Sequence, residues 1–383
     1  MRVALVHDWL TGSRGGEKVL REFARIFPEA TLFTLFHFPG TVSREIERLE
    51  IRTTFLQRFV SPTRDYRKLL PLFFAAAETW DLSGFDLVLS SSHCVAKNAR
   101  APSEALHVCY SHTPVRYLHD QFDVYLRNRP FAVRAAARLV RAPLAVWDVA
   151  TAQRVDGFLA NSENVRERIH RLYDRPASVV HPPVDTKFFT PSVPERERSG
   201  LLIVSALAPY KRLEDAIVVA NRGRLALTIA GFGPEERRLR ALAGETVRFA
   251  GTPTDEALRE LYRSATAVLM PGEEDFGIVP LEAQACGTPV VALGRGGARE
   301  TVRPDATGIL YPDSGADGLA LAIERLGLTE WNREALVANA ARFSHSNFRQ
   351  KLLNALADAF AGAGRADLTQ WVRERPNHYQ AIQ

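Results

Sequence analysis

The amino-acid order predicts an α/β fold of two doubly wound parallel-sheet domains facing a shared cleft. Three observations carry that expectation. Short aliphatic or β-branched runs alternate along the whole chain with longer helical patterns. Each half of the chain holds its own set of such runs. And 383 residues are too many for one ordinary domain and suit two.

In the first half the predicted strands are 2–6, 30–36, 86–90, 106–110 and 157–160. Gly15 and Gly16 precede a helix over 16–27, with Val19, Leu20, Phe23 and Ile26 on one stripe. In the second half the strands are 201–205, 225–230, 247–250, 267–270, 289–292 and 308–310. Residues 181–200 are rich in Pro and charge (His181-Pro182-Pro183-Val184-Asp185, then Glu195–Arg198) and read as a hinge. The expected domains are therefore 1–182 and 183–363. An amphipathic helix over 344–361 runs through Phe348, Leu352, Leu353, Leu356 and Phe360. Residues 364–383, with Trp371 and Tyr379, read as an extension packed back on the first domain.

Composition sets limits. Hydrophobic residues are 46% and charged residues 24%, as in globular proteins with real cores. No apolar run approaches the roughly 18–20 residues that cross a bilayer. The N-terminus enters a strand at once, without the pattern of a signal peptide. Cys94, Cys109 and Cys286 form no C-x-x-C pair and are expected to be buried thiols of a cytoplasmic protein. The net charge of +5 is uneven: residues 125–154 carry Arg127, Arg129, Arg134, Arg138, Arg141 and Arg154 against only Asp148. That stretch is either a solvated helix face or a surface for an anionic partner such as the inner face of the membrane. At roughly 1 kcal/mol per cation, such binding is reversed by salt. A nucleic-acid partner is not expected, since the second half is neutral and no aromatic-basic motif recurs.

Two stretches carry chemistry. In Pro271–Val291 a strand ends in a loop, and Gly277 with Pro280 opens a short helix that stops at Gly287. Its free N–H groups and positive dipole end form a ready phosphate site. Glu274 on the loop and Glu282 in the helix can each accept two hydroxyl hydrogen bonds, which suits sugar or ribose. In Leu201–Arg212 a strand ends in a turn that delivers Lys211 and Arg212. Two fixed cations there can neutralise a departing diphosphate. No D-x-D is present, and His7, His93, His107 and His181 lack partners at zinc spacing, so no metal is expected. Gly296-Gly297 with Glu300 fits a ligand-lining loop and a plain turn equally well.

These motifs resemble glycosyltransferase family 4, retaining enzymes with two Rossmann-like domains in the GT-B arrangement. The likeness rests on Gly15-Gly16-Glu17, His112-Thr113-Pro114, Asn161-Ser162, His181–Asp185, Lys211-Arg212, Gly231-Phe232-Gly233-Pro234, and Glu274 with Glu282. Val6-His7-Asp8-Trp9-Leu10 and Ser111–Tyr117 are most similar to mannosyltransferases of bacterial surface polysaccharides. The resemblance implies that Glu274 binds the transferred sugar, that Phe276, Gly277 and Ile278 hold sugar and phosphate through backbone amides, and that Glu282 takes the ribose. It implies Lys211 and Gly16 at the diphosphate, Gly231, Phe232, Gly233 and Thr252 near the nucleobase, and His112 at the reacting centre. A GDP- or UDP-sugar donor, a lipid-linked saccharide acceptor and no cofactor follow from it.

One position departs from the family. An Arg usual five residues before the Lys is here Ala206, and Arg212 is expected to supply the missing charge. A non-catalytic nucleotide-sugar binder, or an epimerase or phosphorylase of the same fold, stays open beside the transferase.

Overall fold

The computed structural model describes residues 1–62, 66–126, 130–194, 196–313 and 315–379. Arg127 and Arg129 of the basic stretch, Glu195 of the expected hinge and residues 380–383 lie outside the described residues. The chain forms two compact units, 1–182 with 348–383, and 183–347.

In the first unit seven strands form one parallel sheet: β1 Val3–His7, β2 Thr31–Thr34, β3 Glu50–Thr53, β4 Leu87–Ser92, β5 Leu106–Ser111, β6 Gly157–Ala160 and β7 Ala177–Val179. Their order is β3-β2-β1-β4-β5-β6-β7, so the winding reverses between β1 and β4. Side chains alternate across the strands. Val3 and Leu5 join Val19, Phe23 and Leu352 in the core on one face. Ala4 and Val6 join Phe33, Phe73 and Phe74 in the core on the other. Burial on both faces is what forces aliphatic runs and parallel pairing.

In the second unit β8 Leu201–Val204, β9 Leu227–Ala230, β10 Val247–Gly251, β11 Ala267–Met270, β12 Val290–Leu293 and β13 Gly308–Tyr311 form a second parallel sheet. Its order is β10-β9-β8-β11-β12-β13, with the reversal between β8 and β11. The same alternation holds: Leu201 and Ile203 face one core, Leu202 the other.

Three expectations are corrected. The strands β3 and β7 went unread, because they are sheet edges with mostly exposed or half-buried residues and no apolar alternation. The segment 183–200 is fastened to the second unit: Val184 donates its N–H to the Phe343 carbonyl (2.8 Å), and Arg198 donates to the carbonyls of Cys286 (2.9 Å) and Tyr262 (3.2 Å). Val184 and Arg198 are thus tied down, whereas Arg196 and Glu197 stay exposed. The helix His345–Gly362, expected to close the second unit, belongs from Phe348 onward to the first. Its apolar stripe covers the first sheet beside Phe23 and Tyr110, where Phe348 stacks at 6.3 Å from Phe23. The following helix Ala366–Tyr379 lies on the same core through Leu368 and Val372, and Trp371 stacks on Phe27 at 5.7 Å.

Candidate functional site

Open α/β sheets bind ligands outside the carboxyl ends of their strands, at the point where the winding reverses. In the second unit that point lies between β8 and β11. The loop after β8 turns through Pro209–Lys211, and Arg212 sits at positive φ (54°) as the residue before the helix Leu213–Gly223. The loop after β11 carries Glu274. Lys211 Nζ forms an ion pair with Glu274 Oε1, both side chains being mostly buried. Two expected site residues, 63 positions apart, thus meet across the reversal.

Glycines make that meeting possible. A Cβ on Gly272 would lie 2.6 Å from the Lys211 Cα, so only glycine lets the loop after β11 pass the Lys211 turn. A Cβ on Gly297 would strike the Phe276 backbone and one on Gly296 the Glu274 carbonyl oxygen. The Gly297 N–H instead donates to the Glu274 carbonyl at 2.9 Å. The Gly296-Gly297 pair therefore clamps the Glu274 loop from β12, a role that the bare sequence left undecided. Gly231 and Gly233 do the same for β9: a Cβ on either would collide with the carbonyl of Ser205 or Leu207. Leu207 donates its N–H to the Phe232 carbonyl at 3.0 Å, leaving the Phe232 ring exposed. Thr252, after β10, is also exposed.

The helix Ile278–Ala285 begins after Gly277 at φ 91° and ends before Gly287 at φ 74°. Phe276 is buried with Val184, Leu281 and Phe343, which fixes the start of the helix. Glu282 is 3% exposed, and its Oε2 accepts the Tyr262 hydroxyl at 2.9 Å. Tyr262, which the sequence reading missed, orients that carboxylate from the helix Asp255–Ser264.

Arg212, expected to supply the charge of the missing arginine, forms a local ion pair. Its Nε donates to Asp215 Oδ2 at 2.8 Å, on the helix that it precedes, so its charge is already matched. Ala206 is exposed and leaves Lys211 as the cation paired with Glu274.

In the first unit the reversal lies between β1 and β4, and it too holds an ion pair. Asp8 follows β1, His93 follows β4, and His93 Nδ1 lies 2.9 Å from Asp8 Oδ2. The Asp8 carboxylate also accepts the backbone N–H groups of His93, Cys94, Val95 and Ala96 at 2.6–3.1 Å. Burial opposes the Asp8 charge, but the His93 imidazolium and those bonds outweigh it and hold the carboxyl far below its usual range. His93 is correspondingly raised: burial works against its charge and Asp8 overrides that.

His112 follows β5, and its Nε2 lies 2.8 Å from Ser91 Oγ, which is also 3.1 Å from His7 Nδ1. Burial, with the neighbouring His93 charge, pushes His112 down to about 3, so it is neutral near pH 7. Gly15 and Gly16 open the helix Gly15–Ile26, and a Cβ on Gly16 would lie 3.7 Å from His112 Nε2. The structure thus gathers Gly16 and His112 and adds Asp8, His93 and His7, which no spacing along the chain joins. Among the described residues no group of three His, Cys, Asp or Glu is placed to hold a metal.

Comparison with known proteins agrees with this architecture. Residues 13–188 match the model of Glycosyltransferase Family 4, and residues 185–343 match that of Glycosyl transferases group 1. The D-inositol 3-phosphate glycosyltransferase of Acidothermus cellulolyticus is 36% identical over 262 residues, covering 60% of this chain and 55% of that one. The chain thus matches little more than half the length of that relative. Sucrose-phosphate synthase from Thermosynechococcus elongatus superposes with a TM-score of 0.72 at 19% identity, over 94% of this chain and 100% of that one. Anabaena HepE, solved in complex with UDP-glucose, superposes with a TM-score of 0.65 at 18% identity, over 94% and 100%. These likenesses show the fold, GT-B with two Rossmann-like parallel-sheet domains. With two family matches running between them from residue 13 to residue 343, the chain belongs to the glycosyltransferases of the family 4 type.

Proposed function

We propose that this protein is a retaining, metal-independent hexosyltransferase that takes a nucleotide-diphosphate sugar in its second unit and glycosylates a lipid-linked saccharide at the cytoplasmic face of a membrane. The observation that carries this reading is the Lys211–Glu274 pair at the winding reversal of the second sheet, seated on glycine-packed loops. Without ligand, Lys211 neutralises Glu274. A diphosphate entering beside the 278–285 helix offers Lys211 a second anion, and Glu274 then accepts hydroxyls of the sugar. In the transfer, the bond from the anomeric carbon to the β-phosphate oxygen breaks, and its electron pair stays with the diphosphate. Lys211 and the helix N-terminus stabilise that charge. The acceptor oxygen bonds to the anomeric carbon on the same face, and its proton passes to the leaving phosphate oxygen. His112, neutral in the first unit, offers a hydrogen bond rather than a charge.

The UDP-glucose bound by Anabaena HepE supports a nucleotide-sugar donor. The motifs shared with surface-polysaccharide enzymes favour a mannosyl or related hexosyl donor, and the inositol-phosphate relative shows that phosphorylated acceptors occur in the neighbourhood. The exposed Ala206 and the Arg212–Asp215 pair favour one rival, a protein that binds donor without turning it over.

A melting panel with UDP-glucose, UDP-galactose and GDP-mannose tests donor binding, since a ligand of the folded state raises its melting temperature. Nucleoside-diphosphate release in the presence of lipid-linked acceptor tests transfer. Lys211→Ala is expected to keep its fold and lower release by ~10²–10³. Equal turnover by Lys211→Ala would overturn the reading, and donor binding without release from the wild type would select the rival.

A further inference from the structure

We infer that the helix Phe131–Ala152 seats the first unit on a bilayer by burying an apolar outer face, with Arg138 at its edge meeting anionic headgroups. Successive helical residues turn by about 100°. Leu144, Asp148 and Thr151 lie on the inward side, buried against the unit. On the opposite side stand Phe131, Ala135, Leu139, Ala142, Pro143 and Val146, all exposed and all apolar. Phe131 is 82% exposed, Leu139 81% and Val146 70%. This inverts the usual surface helix, whose outer face is polar. From Phe131 to Val146 the apolar stripe runs about 22 Å.

The charges of the helix decide the occupant. It carries Arg134, Arg138, Arg141 and Asp148. Asp148 is fully buried and paired with Lys97 (2.9 Å) and His119 (2.9 Å), so it shows no negative charge outward. Arg141 is turned in, donating to the Leu118 carbonyl at 2.8 Å. Arg138 is mostly exposed on the edge of the stripe, 3.9 Å from Asp123. An apolar stripe with a cation at its edge complements acyl chains beneath anionic headgroups. A second copy pairing through the same face would bring its arginines close to these, which disfavours self-association. No described helix is long and apolar enough to cross a membrane, so the contact is interfacial.

This inference deepens the membrane partner of the proposed function and changes its character. Binding through arginines alone disappears in salt, whereas apolar burial does not. The test is co-sedimentation with vesicles of phosphatidylglycerol and phosphatidylcholine at ~0.1 M and ~0.5 M NaCl. Wild-type protein is expected to stay bound at the higher salt. The double variant Leu139→Ser, Val146→Ser is expected to lose at least about tenfold in partitioning at both. Arg138→Gln is expected to weaken binding only at the lower salt. Three results would overturn the inference: equal binding by the double variant, loss of wild-type binding at the higher salt, or a wild-type dimer by light scattering that the double variant breaks. The donor melting shift, measured on the same variants, keeps the two readings apart. Vesicle binding without a donor shift would sink the proposed function and leave this inference standing.

Discussion

Burial lowers two histidines of the first unit and Asp8 raises a third, so the consequences run in opposite directions. His107 and His112 are pushed down to about 3, chiefly by burial. An unfolded histidine titrates near ~6.5, so between about 6.5 and 3 the unfolded chain binds protons that the folded one refuses. Stability is therefore lost as pH falls, by about 1.4 kcal/mol per pH unit for each of the two. His93 behaves the other way. Its raised pKa adds stability that is complete below ~6.5 and is lost as pH rises through the raised value. The first unit should be most stable near pH 6.5, with a limb on either side. Four of the five tryptophans, at 9, 80, 147 and 371, lie in that unit, so urea unfolding of a Trp331→Phe variant by fluorescence reads it alone. His107→Gln should flatten the acid limb, and a pH-independent midpoint across 5–8 would show that these assignments of charge are wrong.

At the scale of elements, loop contacts made by glycine set the geometry of the Lys211–Glu274 pair. In Gly272→Ala the new methyl group meets the Lys211 backbone, which cannot swing aside as a side chain can. Overpacking of this kind costs about 1–3 kcal/mol. The expected result is a second unit with a lower melting temperature and a donor shift reduced at least about tenfold in affinity. An unchanged donor shift would mean that the turn is softer than its contacts imply. The strand–loop–helix run from Ala267 to Gly287 was legible in the sequence, because Gly277, Pro280 and Gly287 mark its turns within 11 residues. The Asp8–His93 pair was not. Its members are 85 positions apart, and only the strand order places β1 beside β4. The Arg212–Asp215 contact was not legible either. A cation next to Lys211 in sequence was taken to share its target, but its left-handed backbone turns it toward Asp215.

Across the whole molecule, the first core is assembled from both ends of the chain. Phe348, Leu352, Leu356 and Phe360 complete a wall that begins with Val19 and Phe23. Phe348→Ala should cost the first unit about 3–5 kcal/mol. Its urea midpoint should fall, while the donor-dependent melting of the second unit is unchanged. A loss shared equally by both would show that the two units unfold as one. The amphipathic stripe of that helix was plain in the sequence, but a stripe does not name the surface it covers, and proximity in the chain pointed to the wrong unit. The same return path has a further consequence for biosynthesis. Residues 183–347 leave the ribosome as an uninterrupted block, whereas the unit that holds residues 1–182 is complete only once the helix from Phe348 onward has also emerged. The unit whose strands are made earlier is therefore completed later than its neighbour.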